Sequence, residues 1–220
     1  MFDGRFRRSV EVVTTPIGRG LVRAGFSADV LTASGLVFAC ATAWAIAVGL
    51  HWGAIVLLIL TGFHDLFDGP VAKASQRVSQ RGSFFDSVVD RVSDAVLMGG
   101  VAYYLTAHHH GQLVLLPFGI VTASFLISYQ RSKAESLGLS AKGGLMERAE
   151  RMILLGVGLL SSAIFVPVLW VMLALTIMTA LGRFARVWRA ADRPTPVEPR
   201  FHPRREHVRR RRTLSRASRH

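Results

Sequence analysis

Apolar residues gather into blocks separated by short polar links, and several blocks approach the ~20 residues that a membrane-spanning helix needs. The first block runs from about Val30 to Leu50, with His51-Trp52-Gly53 as a turn behind it. The second, about Ala54 to Ala74, is apolar in its first half and acidic in its second. A polar link, Ser75 to Arg81, leads to a third from about Ser83 to Leu105, acidic first and apolar later. His108-His109-His110-Gly111 forms the next turn, and a fourth span covers about Leu113 to Gln130. After the polar stretch Arg131 to Arg151 come a fifth span, about Met152 to Phe165, and a sixth that starts beyond Pro167 and ends near Leu181. The pattern predicts an all-α integral membrane protein with six transmembrane helices.

The flanks differ from this core. Residues 1–25 set Arg5, Arg7, Arg8, Arg19 and Arg23 among Val12, Val13, Ile17, Leu21 and Val22, a basic amphipathic pattern suited to a helix lying on a membrane surface. No short apolar region with a small-residue cleavage site precedes the first span, so no secretory signal is expected. Residues 191–220 hold ten Arg against three acids, +7 of the total net charge of +13, together with Pro194, Pro196, Pro199 and Pro203. Such a segment cannot bury enough apolar surface to offset its ordering entropy and is expected to be a disordered tail, either attracted to anionic lipid headgroups or simply solvated. No nucleic-acid-binding fold accompanies the charge. The expected organisation is therefore a juxtamembrane segment (1–25), a six-helix domain (26–190) and an Arg-rich tail (191–220).

Charge also sets topology. The N-terminus, the second-to-third link (Lys73, Arg77, Arg81), the fourth-to-fifth link (Arg131, Lys133, Lys142, Arg148) and the tail are basic, whereas the turns near His51, His108 and Val166 carry no Lys or Arg. By the positive-inside rule both termini and both acidic half-helices face the cytoplasm, in a multi-pass protein of the cell membrane. The histidine triplet then faces outward as a solvated turn, since three adjacent residues cannot all point at one ion. Half of the chain is hydrophobic, which disfavours a soluble helical domain, and the single cysteine, Cys40, admits no intrachain disulfide and is expected to pack.

The chemistry lies between His64 and Asp94. Asp65, Asp68, Gly69 and Ala72 recur at i, i+3, i+4 and i+7 on one helical face; Asp86, Asp90 and Asp94 recur every four residues on another. A charge at membrane depth costs of order 2.5 to 3.5 kcal/mol on insertion scales, so five aspartates there need partners. Lys73, Arg77, Arg81 and Arg91 are available, but two converging acidic stripes point to shared divalent cations. Oxygen-only donors favour Mg²⁺, Mn²⁺ or Ca²⁺; His64 lies off the stripe. Two such ions about 3.5 to 4 Å apart can activate an attacking oxygen and stabilise a leaving phosphate oxygen. Gly69, Ala72 and Gly82 remove side-chain bulk where a phosphate or nucleotide could approach. An ion or proton pathway lined by the acids is the alternative of another class.

The run Asp65-x2-Asp68-Gly69-x2-Ala72-Lys73-x8-Gly82-x3-Asp86-x3-Asp90 resembles the signature of the CDP-alcohol phosphatidyltransferase family, matching seven of eight fixed positions at every spacing. Lys73 stands where the family usually has Arg, keeping the charge but losing the bidentate fork. The resemblance covers about residues 10–190. It implies a membrane transferase, usually homodimeric, that uses Mg²⁺ or Mn²⁺, in a pair at the aspartates. It further implies Asp65, Asp68 and Asp86 as principal metal ligands, with Asp90 completing the site and serving as the base. A hydroxyl would attack the β-phosphorus of CDP-diacylglycerol and release CMP. Asp94 is either a catalytic or a structural acid.

The acceptor is read from basic residues. Ser27-Ala28-Asp29-Val30-Leu31-Thr32, Ser128 to Glu135 and Gly143 to Arg151 resemble segments of actinobacterial phosphatidylinositol phosphate synthases, although Ala149 replaces their usual Pro. Asp29 and Thr32 would then contact the nucleotide or cap the first span. Arg131, Arg151 and Arg183 match residues expected to hold an acceptor phosphate. Arg131, Lys133, Arg148 and Arg151 also collect on the cytoplasmic side, where a phosphorylated polyol would arrive. Inositol 1-phosphate is the expected acceptor, and glycerol 3-phosphate satisfies the same charges.

Overall fold

Helix ends follow local sequence signals. The computed structural model describes residues 14, 16–75, 79–109, 111–141 and 143–192, and among them the regular structure is helical throughout. A short helix over 16–23 (α1) is followed by α2 (Ala28–Ala47), α3 (His51–Ala74), α4 (Gln80–His108), α5 (Leu115–Ser136), α6 (Arg148–Leu159) and α7 (Ser162–Ala191). Serine hydroxyls open three of them: Ser27 accepts from the Val30 N–H at 3.3 Å, Ser79 from Gly82 at 3.0 Å and Ser161 from Ala163 at 3.3 Å. Residues 1–13 and 193–220, with Arg77, His110 and Lys142, lie outside the described residues.

Several boundaries differ from those expected. Gly49, at φ +76°, closes α2: its N–H bonds Ile46 O at 3.0 Å and the next N–H, of Leu50, bonds Ala45 O at 2.8 Å. The reversal is complete by Leu50, so His51-Trp52-Gly53 is not a turn but the first turn of α3. The break between the last two helices falls at Leu160-Ser161, where Ser161 caps, and not at Pro167, which lies near the start of α7. As the sixth residue of α7, Pro167 lies inside the helix and removes one intrahelical hydrogen bond without ending it. The fifth predicted span therefore contracts to the twelve residues of α6, about 18 Å long. Helix α5 runs on to Ser136, which puts Arg131 and Lys133 on a helix rather than in a link. Gly82 does not open α4 but sits in its first turn, capped by Ser79.

The six longer helices close into a ring in the order α2, α4, α5, α7, α6, α3, each packed against the two beside it. Leu97, Val101, Leu155, Phe165 and Leu169 form part of the central core. Gly100 permits the closest approach: a Cβ there would meet the backbone of Ala43 on α2. Large apolar side chains, among them Val37, Trp44, Ile59, Phe118 and Leu181, point outward, as does Cys40, which does not pack inside. That is the pattern of a protein whose outer solvent is lipid, and α2, α3 and α7 are long and apolar enough to cross a membrane. Leu21 and Val22 of α1 pack on Leu31, Phe67 and Val71, leaving Arg19 and Arg23 exposed.

Candidate functional site: an acid cluster between two cavities

The ring order decides the site. Helices α3 and α4 both pack on α2 but not on each other, so their acidic stripes face one another across a gap. Asp65 and Asp68 come from α3; Asp86, Asp90 and Asp94 come from α4. Asp68 faces Asp86 directly. Into the gap projects Arg148, the first residue of α6. Its Nη2 bonds Asp65 at 3.0 Å, its Nη1 bonds Asp90, and its Nε lies 3.6 Å from Asp94.

Two cavities meet at this arginine. One, of about 660 Å³, carries Asp65, Asp68, Asp86 and Asp90 at one end and continues between α3 and α6 along apolar walls that include Leu58, Gly62, Met152 and Gly156. The other, of about 140 Å³, is ringed by Arg91, Arg131, Arg148, Arg151 and Arg183 with Ser128 and the acids Asp90, Asp94 and Glu147. Thus an apolar groove and a cationic pocket share Asp90 and Arg148 as their common wall.

The expected acceptor-side cations are not equivalent. Arg151 is buried, bonds Asp94 at 2.5 Å and reaches Met146 O at 3.3 Å. Arg183, only 2% exposed, ties α7 to α5 and to the loop before α6: it donates to Ile127 O of α5 at 3.0 Å, and to Gly143 O at 3.2 Å and Glu147 at 3.1 Å in the loop. Arg131 lines the pocket while pairing with Glu135 at 3.0 Å. Lys133 is exposed and lines neither cavity.

Among the residues expected to meet the nucleotide, nothing lies within 4 Å of a Cβ placed on Gly69, so this face of α3 is open; Ala72 is half-buried and Lys73 exposed. Asp29 comes within 3.6 Å of a Cβ placed on Gly82, which brings the first turns of α2 and α4 together. The Thr32 hydroxyl bonds its own helix at Ala28 O, 3.1 Å. His64 likewise turns back to Leu60 O, away from the acids.

Arg91 is the functional candidate that spacing alone passed over. It donates to Ser87 O at 2.7 Å, Asp90 at 3.3 Å and the Ser128 hydroxyl at 2.9 Å, linking the acid cluster to α5. The available signal was an arginine inside an acidic half-helix, which must find partners at membrane depth.

Four carboxylates facing one cavity supply the hard oxygen donors that Mg²⁺ or Mn²⁺ takes. Among the described residues, however, no three such side chains stand in coordinating geometry. The Arg148 guanidinium instead engages Asp65 and Asp90 from between the two helices.

Residues 26–190 match the profile of the CDP-alcohol phosphatidyltransferase family. An archaetidylinositol phosphate synthase of Methanothermobacter thermautotrophicus is 36% identical over 169 residues, spanning 76% of this chain and 83% of the relative. A phosphatidylinositol phosphate synthase of Mycobacterium tuberculosis is 32% identical over 187 residues, 80% of this chain and 86% of the relative. The crystal structure of the M. tuberculosis synthase with CDP-DAG bound superposes with a TM-score of 0.74 at 28% identity, covering 84% of this chain and 99% of that one. The same enzyme in complex with manganese and citrate gives a TM-score of 0.74 over 83% of this chain and 93% of that one.

Proposed function

The chain belongs to the CDP-alcohol phosphatidyltransferase family, and from that premise we propose that it moves a phosphatidyl group from CDP-diacylglycerol to a phosphorylated polyol, inositol 1-phosphate before others, and releases CMP. Family membership makes it a transferase and removes the ion-pathway alternative. The observation that carries the reading is the shared wall of the two cavities: acids and Arg148 stand where an apolar groove fit for acyl chains meets a cationic pocket fit for a phosphate.

In this reading the lipid tails of the donor lie between α3 and α6, and its pyrophosphate lies over Gly69 and Ala72, with Lys73, Asp29 and Gly82 at the nucleotide. Asp65, Asp68, Asp86 and Asp90 would hold two divalent ions, whose charge would neutralise the pyrophosphate. The relative solved with manganese supports that choice of cation. Asp90 takes the proton of the acceptor hydroxyl as that oxygen bonds the β-phosphorus and the bond from the β-phosphorus to the CMP oxygen breaks. Arg131 and Arg151 face the acceptor phosphate, while Arg183 holds the pocket's rim through Gly143 and Glu147. Lys133 contributes long-range charge only, since it is exposed outside the pocket.

The protein works in the membrane. We place five of the ring helices across the cell membrane and α6, about 18 Å long against a hydrocarbon core of about 30 Å, part-way into it, with the site and both termini cytoplasmic, on the charge distribution of the links. Helix α6 is the short member, flanked in the ring by α3 and α7. A homodimer is proposed on the family resemblance. Inositol 1-phosphate is favoured by the names of the relatives; glycerol 3-phosphate remains the second reading because Ala149 departs from the inositol pattern. A panel of inositol 1-phosphate, glycerol 3-phosphate, inositol and serine, assayed for lipid product, decides: inositol 1-phosphate should be used with the highest kcat/KM, and preference for an unphosphorylated alcohol would reject the cationic pocket as the acceptor site.

A further inference from the structure

Arg148 is in two places at once. It is a wall of the groove that carries the acids and a wall of the arginine-lined pocket, and it bonds Asp65 and Asp90, two of the four carboxylates assigned to the divalent ions above. The guanidinium stands between these two carboxylates, in the space that an ion shared by them would need. Charge sharpens the conflict. Four carboxylates carry a charge of −4, and two divalent cations would cancel it in full, so a guanidinium left among them would lose the net attraction that holds it there. Asp94 offers the way out: it belongs to no proposed metal set, it is already fixed by Arg151 at 2.5 Å, and it lies 3.6 Å from Arg148 Nε on the pocket side.

Resting on the functional reading above, we propose that Arg148 is a displaceable counter-ion of the acid cluster. The divalent cations compete with it for Asp65 and Asp90, and once displaced it pivots about Asp94 into the arginine-lined pocket, where it adds a further donor for the acceptor's phosphate. Filling of the metal site thereby strengthens binding at the acceptor site, and by linkage phosphate strengthens metal binding by the same factor. Arg148 thus couples the donor and acceptor halves of the site.

The test uses the full-length protein in detergent micelles, treated with chelator, with free Mn²⁺ followed by electron paramagnetic resonance and inorganic phosphate as the acceptor probe. In the wild type, phosphate should tighten Mn²⁺ binding at least about five-fold, the low end of typical couplings. Arg148→Gln should tighten Mn²⁺ binding in the absence of phosphate by a similar factor and lower the phosphate enhancement to less than about two-fold. Arg148→Lys, which keeps the charge without the fork, should fall between them. Mn²⁺ binding that is unchanged or weaker in Arg148→Gln overturns the proposal. Should that variant not fold, absence of phosphate enhancement in the wild type overturns it equally, as does an Arg148→Lys affinity equal to the wild type. Failure of the wild type to bind Mn²⁺ at all would remove the metal site and this coupling together, whereas normal Mn²⁺ binding with no effect of Arg148 removes the coupling alone.

Discussion

Asp94 of α4 and Arg151 of α6 form a buried ion pair at 2.5 Å that ties together two helices not otherwise neighbours in the ring. Removing one member of such a pair leaves the other desolvated and uncompensated, at a cost of about 3 to 5 kcal/mol. Asp94→Ala should therefore lower the thermal unfolding midpoint in detergent far more than Asp94→Asn, which still accepts a hydrogen bond from Arg151. Midpoints for both variants equal to that of the wild type would show that the pair does not hold the two helices together.

The contact of Gly100 with Ala43 makes a second stability test. A methyl group there would press on the Ala43 carbonyl and Cα, which belong to a helix backbone and cannot rotate away. Gly100→Ala should force α2 and α4 apart at a cost of roughly 1 to 3 kcal/mol, seen as a lower unfolding midpoint. Because both acidic stripes are set by packing on α2, activity at a permissive temperature should fall as well.

The groove between α3 and α6 can be narrowed without touching a charge. A Cβ on Gly156 would lie 3.6 Å from Leu58 on the opposite wall, so Gly156→Leu should fill the passage. The value of kcat/KM for a long-chain CDP-lipid should drop about ten-fold or more, in the range by which apolar pockets discriminate size, while a short-chain CDP-lipid and the KM for the acceptor change little. An equal loss with both donors would mean that the acyl chains run elsewhere.

Much of this was legible in the sequence. The spacing of Asp65, Asp68, Asp86 and Asp90 fixed two helical faces, and the structure turns both into one cavity. Helix count and the order of apolar blocks were equally plain, because a 3.6-residue period and block length are local properties. The ends of helices were less so: His51 to Gly53 looked like a turn, yet Gly49 already completes the reversal. Pro167 looked like a break, yet the cap supplied by Ser161 sets the start of α7 earlier. The roles of Arg148, Arg151 and Arg183 differ because their partners are 55 or more positions away for Asp90, Asp94 and Ile127 alike, by subtraction of the residue numbers. Periodicity carries no information about such contacts. Charge clustering placed these arginines on one side of the membrane and could not say that one enters the acid cluster, one pins a helix pair and one holds a loop.

The central claim is phosphatidyl transfer at the wall shared by the two cavities, and the most direct measurement is CMP release from CDP-diacylglycerol by the purified protein with Mg²⁺ or Mn²⁺ and inositol 1-phosphate. The account predicts CMP and phosphatidylinositol phosphate in equal amounts, and for Asp90→Asn a rate lower by about 10² to 10⁴, the usual contribution of a general base, with CDP binding retained. No CMP release with inositol 1-phosphate, glycerol 3-phosphate or any other phosphorylated alcohol, or an Asp90→Asn variant that turns over like the wild type, would contradict it.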